Sequence, residues 1–432
     1  MTVRHIALLL AFAAVPAAAA AQERPAIVIT APNFRPLPIA VAPFLSDAAS
    51  GAAASEATAV VRADLALSGL FDVLDPKGFL ADPREGLAPQ TVSFSRWSDV
   101  GADGLAKAMV REVGGALEGE LHLYEVRAGR EVAARTVRAG NARALGHRIA
   151  DEIVRYYTRE PGVFSTRIAA VRKTPGRYEL VLFDVDGQNP QVVLSEQSIL
   201  LAPAWKPDGS ELLLTSYRTG RPQLWALRLA DRSFRAVGNR GNAMGGVYSP
   251  DGSRIAFTIT EGANTDIWIM NADGTAPRRI TREPSIEVSP AWSPDGRRIA
   301  FTSDRAGTPQ VYVMNADGSE VRRVTFQGNY NQTPVWSPRG DAIAFTARDE
   351  RKMFDLFWVS PDTTRISRIT QDQGRTNEEP SWAPTGRLMV FRTDRNGPGQ
   401  LVVADPRGDR QTVIAGARGA DLVSPAWGPA AQ

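Results

Sequence analysis

Short apolar runs, each closed by a polar turn rich in Pro, Asp, Asn and Gly, recur through the second half of the chain and predict β-strands joined by tight hairpins. The stretch that starts at Trp292 shows the unit. The aromatic leads into Ser293-Pro294-Asp295-Gly296, a turn in which Pro presets φ and Gly accepts the left-handed region. Ile299-Ala300-Phe301-Thr302 follows as a buried strand. Val311-Tyr312-Val313-Met314 is the next, running into the hairpin signal Asn315-Ala316-Asp317-Gly318. Arg322-Arg323-Val324-Thr325 ends the unit as an outer strand with water on one side. The same series begins at Tyr248.

The anchors of the pattern are Trp205, Tyr248, Trp292, Trp336, Trp382 and Trp427, spaced 43, 44, 44, 46 and 45 residues apart. A period near 44 with strand-turn texture predicts four-stranded propeller blades rather than a helical solenoid. A second ring, Trp225, Trp268, Tyr312, Trp358 and Val402, sits 20 to 22 residues after the anchors. Eight of the nine tryptophans therefore belong to the repeat, and packing between and within blades is their expected role. The ends of the array are out of phase. Ile168-Ala169-Ala170-Val171 resembles a second strand with no anchor before it, and Trp427 is an anchor with no second strand after it. If the C-terminal strand completes the first blade, the count is six and no open edge remains.

Ahead of the repeats the periodicity changes. Pro38 to Phe44 predicts a short buried strand, and Ser55 to Leu70 a helix with Ala57, Val60, Val61 and Leu65 on one side, ending at Gly69. Phe71 to Leu74 predicts a strand, and residues 117–126 and 131–138 a strand pair. Asn141 to Thr158 predicts an amphipathic helix with Leu145, Ile149, Ile153 and Tyr156 on one face. Strands mixed with helices argue for an α/β layer domain over residues 22–162, followed by an all-β six-bladed propeller over 163–432. Residues 1–21, with Arg4 and His5, an apolar run from Ile6 to Val15 and A-x-A choices before Gln22, predict a cleavable signal peptide. The mature protein is then expected to be exported.

Composition narrows the chemistry. With no cysteine there is no disulfide and no thiolate. Removing residues 1–21 takes away Arg4, so the mature charge is 49 − 47 = +2, which gives no reason to expect nucleic acid. Only His122 and His147 remain, in different predicted elements, and they make neither a triad nor a zinc site. No nucleophile-elbow, phosphate-loop or dinucleotide motif is present, and the Asn-Ala-Asp-Gly segments read as turns rather than calcium loops. No catalytic residue, cofactor or metal follows from the sequence. A hydrolase or lyase acting on glycans or peptides through dispersed carboxylates stands as the alternative, and a propeller that holds a small ligand as a third reading.

Blade geometry locates the binding face. First-to-second and third-to-fourth turns share one face, and the inter-blade loops share the other. The turn face is repetitive, as in Ser249 to Gly252 and Ser293 to Gly296. The loop face is varied, as in Asn239 to Gly245, Ser285 to Ser289, Asn329 to Thr333, Thr376 to Glu379 and Asp421 to Ser424. Recognition needs differences around a rim, so the channel mouth on the loop face is the expected binding site.

Three stretches resemble the TolB family of the Gram-negative Tol–Pal cell-envelope system. They are Ile27-Val28-Ile29-Thr30 with Arg35 to Phe44, then Arg143 to Ile153 with Gly162 to Ala169, and the repeats themselves. The resemblance implies a non-enzymatic periplasmic adaptor, monomeric on its own and not inserted in a membrane, that supports outer-membrane integrity and constriction during cell division. It implies that TolA binds the leading segment, residues 22–33, including Ile27, Val28, Ile29 and Thr30. It also implies that the lipoprotein Pal binds loops carrying Asn242, Met244, Gly245, Glu287 and Val288, with Asn329 and Asn331 beside them. One departure stands out: five anchors have Pro two residues earlier, whereas Tyr248 has Gly246, so that loop is expected to be more flexible.

Overall fold

The computed structural model describes residues 35–430 apart from 83, 349, 417 and 418. The expected leader and the segment Ile27 to Thr30 lie outside the described residues. The first domain is a mixed sheet of β1 (Leu37–Val41), β2 (Leu45–Ser46), β3 (Phe71–Val73), β4 (Gly104–Val113), β5 (Ala116–Glu125) and β6 (Arg130–Ala139). Their order is β3-β1-β4-β5-β6, with β2 added on β4. β1 runs parallel to both neighbours, and β4 to β6 form an antiparallel meander. Alternation along β1 sends Ile39 and Val41 to one face and Ala40 and Ala42 to the other. Helix α1 (Gly51–Ser68) covers the first face and the short α2 (Phe94–Asp99) brings Trp97 to the second, beside Ala81 and Val92; α3 (Ala142–Thr158) joins α1 on the first face.

Both long helices have definite ends. α1 stops where Gly69 adopts φ 69°, and α3 starts where the Asn141 side chain accepts from the Ala144 N–H at 2.9 Å. α1 starts at Gly51, earlier than the Ser55 expected, because small alanines extend its first turn. On α3 it is Tyr157, not Tyr156, that completes the buried stripe of Leu145, Ile149 and Ile153. The sequence pattern does not reveal β4. Its first half is buried on both faces, which erases the alternation, and Lys107 within it is buried against Glu85 at 3.0 Å.

Six four-stranded antiparallel sheets form the second domain. Five are built from consecutive strands. The first blade is composite: β7 (Arg167–Thr174), β8 (Arg177–Asp184) and β9 (Gln191–Glu196) are completed by the C-terminal strand Asp421–Trp427. That strand is the innermost, pairing Ala426 with Ala169 and Trp427 with Ile168. Three anchor indoles join their blade to the one before it. Trp205 donates to Ala426 O at 3.0 Å, Trp292 to Val247 O at 3.3 Å and Trp382 to Val335 O at 3.2 Å. The second aromatic ring lies on the third strands, as the spacing predicts.

Candidate functional site: the channel mouth

All six innermost strands carry the same irregularity. Each pairs regularly, slips its register two to four residues before the anchor, then pairs again. At the slip one residue takes a left-handed conformation: Ala202 (φ 49°), Gly245 (61°), Ser289 (55°), Thr333 (50°), Glu379 (56°) and Ser424 (50°). These are bulges, in which extra residues bow out of the ladder and turn their side chains away from it. Each left-handed residue and the one before it are partly exposed, between flanks that are mostly buried. Six such pairs ring the axis: Leu201-Ala202, Met244-Gly245, Val288-Ser289, Gln332-Thr333, Glu378-Glu379 and Val423-Ser424. Neighbouring blades are tied at this level, with Gly245 N donating to Thr215 Oγ1 at 3.0 Å and Thr333 N to Thr302 Oγ1 at 3.2 Å.

The ring sorts the residues expected to meet a partner. Gly245 stands in its bulge, Met244 and Val288 stand directly before theirs, and all three are partly open; a Cβ placed on Gly245 would meet nothing within 4 Å. Asn242 and Asn329 are exposed on the rim. Glu287 and Asn331 are different, and the expectation that they face a partner is corrected. Glu287 is fully buried, and its carboxylate takes the Arg305 guanidinium and the Ser303 hydroxyl. Asn331 is 2% exposed and donates to Gln310 Oε1 at 2.8 Å and Gln327 O at 2.9 Å. Both pin the start of an inner strand. Asn377 fills the same place in the sixth blade, donating to Asp355 at 3.0 Å.

Gly246 also acquires a physical reason. A Cβ there would lie 2.6 Å from Leu213 Cδ2 and 3.0 Å from Leu224 Cδ1, so this blade exchanges proline for bulkier neighbours. The position is buried, which corrects the expectation of a looser loop at that point.

The only charges among these twelve residues are Glu378 and Glu379, a carboxylate pair that the sequence pattern does not single out. Glu379 is held by Ser424, whose N–H and hydroxyl donate to it at 2.6 and 3.0 Å. Glu378 is raised by burial and by Glu379 beside it, while Arg392, 3.6 Å away, works in the opposite direction. Both carboxylates are thus engaged by the scaffold.

The two histidines lie elsewhere, in the first domain. His122 sits between Glu120 and Glu131, each at 3.2 Å. His147, on α3, is buried at the junction between the domains, 2.7 Å from Asp64 of α1 and 3.6 Å from Asp184 of β8. Arg143 donates to Asp184 at 3.2 Å and to Asp186 at 2.6 Å. His147, Asp184 and Asp186 bring potential ligand atoms within 4.8 Å of one another, but the donor set does not suit a cation. Burial works against the imidazolium, yet hydrogen bonds to Asp184 and Asp64 outweigh it and push His147 up to about 10. Its ring nitrogens therefore carry protons, and a guanidinium already occupies the other two carboxylates. The cluster is an ion-pair clamp between domains.

The clamp has company on the turn face. Glu160, just after α3, accepts from Arg339 at 2.9 Å and from Arg387 at 2.6 Å, at the first turns of the fifth and sixth blades. The α/β domain thus occupies the turn face, and among the described residues the loop-face mouth is uncovered.

A family model for the TolB amino-terminal domain matches residues 25–132, and one for the TolB beta propeller domain matches residues 154–431. A Tol-Pal system protein TolB from Anaeromyxobacter dehalogenans is 68% identical over 100% of both chains. The chain belongs to the TolB family. A second TolB, from Myxococcus xanthus, is 45% identical over 46% of this chain and 47% of its own length. The crystal structure of TolB from Acinetobacter baumannii aligns at 28% identity with a TM-score of 0.82, over 91% of this chain and 97% of that one. The TolB assignment agrees with an α/β domain preceding six blades. No helix among the described residues is long and apolar enough to cross a membrane.

Proposed function

We propose that this member of the TolB family is a non-enzymatic periplasmic adaptor, which binds the lipoprotein Pal at the loop-face channel mouth and TolA through residues 22–33. In this role it supports outer-membrane integrity and envelope constriction during division. One observation carries the reading: among the described residues the α/β domain occupies the turn face while the varied, partly apolar mouth lies open on the other. Asn242, Met244, Gly245, Val288 and Asn329 form the Pal-facing set, with Glu287 and Asn331 shaping the loops from beneath. A rim of this kind can bury on the order of 1,600 Å² in total, enough for a specific complex.

Holding two partners at separate places allows them to influence each other only if Pal favours one state of the leading segment, and the influence must then be reciprocal. Calorimetric titration of the mature protein and of a variant lacking Gln22 to Asn33 tests the assignment. TolA affinity is expected to vanish and Pal affinity to remain measurable; retained TolA affinity would refute it.

The enzymatic alternative draws on Glu378 and Glu379. A general acid and base need carboxylates free to exchange protons with substrate. Glu379 is committed to Ser424 and Glu378 to Arg392, which favours the adaptor. Turnover of peptidoglycan fragments by the purified protein would reverse that preference.

A further inference from the structure

Beside the mouth, on the same loop face, a cavity of about 600 Å³ opens in the fifth blade. Its floor is apolar. Phe345 and Phe357 lie 5.9 Å apart and 24° from parallel, with Ile366 next to them. Among the lining residues Arg368 is committed to the buried Asp355 and to Thr370 O, which leaves two cations, Arg348 and Lys352, against one anion, Glu350. Both arginines are fixed over rings: Arg368 lies 5.5 Å from the centre of Phe357, and Arg348 lies 5.3 Å from that of Tyr330. At Arg348 this stacking leaves the edge of the guanidinium turned towards a carboxylate.

The surroundings point to a macromolecule rather than a metabolite. Phe326, immediately before the lining residues Gln327 and Gly328, is 62% exposed. Large apolar side chains held in water beside a cavity are a mark of protein docking. The cavity is also continuous with the proposed mouth, since Asn329 belongs to both.

We propose that this cavity is a second anchor point for the protein bound at the mouth, receiving an acidic segment of that partner with an aromatic or branched aliphatic side chain. The apolar tip enters between Ile366 and the stacked phenylalanines, and the flanking carboxylate meets Arg348 and Lys352. The inference rests on the adaptor reading and deepens it, by stating which chemistry the partner must present away from the central channel. Such an arrangement gives orientation: a single plug at a six-fold ring leaves rotation about the axis open, and an off-axis anchor removes it.

The test uses the mature protein and the purified soluble domain of Pal, titrated calorimetrically at two salt concentrations. Lys352→Glu reverses a rim charge, Ala347→Leu fills the cavity from its wall, and Val288→Arg blocks the mouth as reference. Lys352→Glu is expected to weaken binding about fivefold and to flatten its salt dependence. Ala347→Leu is expected to weaken it about tenfold, the scale of one lost apolar anchor. Because Ala347→Leu perturbs a buried position, its melting temperature is measured alongside, and Lys352→Glu at the loop serves where the fill destabilises. If both variants bind like the parent while Val288→Arg does not, the cavity proposal falls and the mouth stands. If the parent itself fails to bind Pal, both fall.

Discussion

The indole N–H of Trp427 donates to the hydroxyl of Thr166 at 2.8 Å, joining two residues 261 positions apart. Thr166 stands directly before β7, so this bond seals the seam where the innermost strand of the first blade arrives from the far end of the chain. Trp427 also packs into the core shared by both domains, beside Ile168 and Val181.

Replacing Trp427 by Ala should therefore cost about 3–5 kcal/mol, the scale of a buried large-to-small change. Deleting residues 420–432 should cost more, because it removes the whole inner strand and strips β7 of its inner ladder partner. Urea unfolding followed by circular dichroism measures both. A truncated protein that unfolds at the parent's midpoint would rule out ring closure by this strand.

The clamp at His147 predicts a dependence on pH. Its folded-state pKa of about 10 lies above the ordinary value of 6.5, so its contribution is complete below pH 6.5 and lost as pH rises towards 10. Asp64 acts in the same direction: burial pushes it up to about 7, with His147 opposing, so ionising it disfavours folding as pH passes neutrality. Asp184 is held low by hydrogen bonds from His147 and Arg143 in spite of burial, and its contribution is lost only on acidification. Thermal unfolding between pH 6.5 and 10 should show a steeper decline for the parent than for His147→Gln. Equal slopes would count against the clamp.

Gly162 tests the junction from its other side. Asp151 of α3 accepts from Phe164 N at 2.7 Å and Ser165 N at 3.0 Å, drawing the connecting segment against the helix. A Cβ on Gly162 would lie 2.5 Å from the Asp151 Cα, which has no room to yield. Gly162→Ala should destabilise the protein by about 1–3 kcal/mol. Denaturant midpoints within error of the parent would show that the segment can move aside.

A paired comparison separates lining from scaffold. Val288→Arg should weaken Pal binding by about tenfold or more while moving the melting temperature little, because it places a charge on an exposed recognition surface. Glu287→Gln, one residue earlier, should lower stability by about 2 kcal/mol or more, because it leaves Arg305 without its buried counter-charge. Calorimetry and thermal melts on both variants decide it. The opposite assignment of effects would mean the two roles have been exchanged.

The blades were legible because each repeats the same strand and turn chemistry, and even the composite blade followed from the phase of Ile168 and Trp427. β4 was not legible: a strand buried on both faces with Lys107 inside it carries neither alternation nor an apolar run. The mouth was legible only in part. Variation from blade to blade was read as recognition, which suits Met244 and Val288. At Glu287, Asn331 and Asn377 it reflects three different polar solutions to one bridging task. Only coordinates reveal that the bond partners, Arg305, Gln310 and Asp355, have changed in step.

The six bulges carry an evolutionary consequence. The residue just before each left-handed position, such as Met244, Val288 or Gln332, is the last one paired before the ladder slips, and its side chain is partly open rather than packed away. The left-handed residue after it is restricted by its backbone, but this one is not. Lineages can therefore retune the lumen at six sites, one blade at a time, while the surrounding architecture stays as it is.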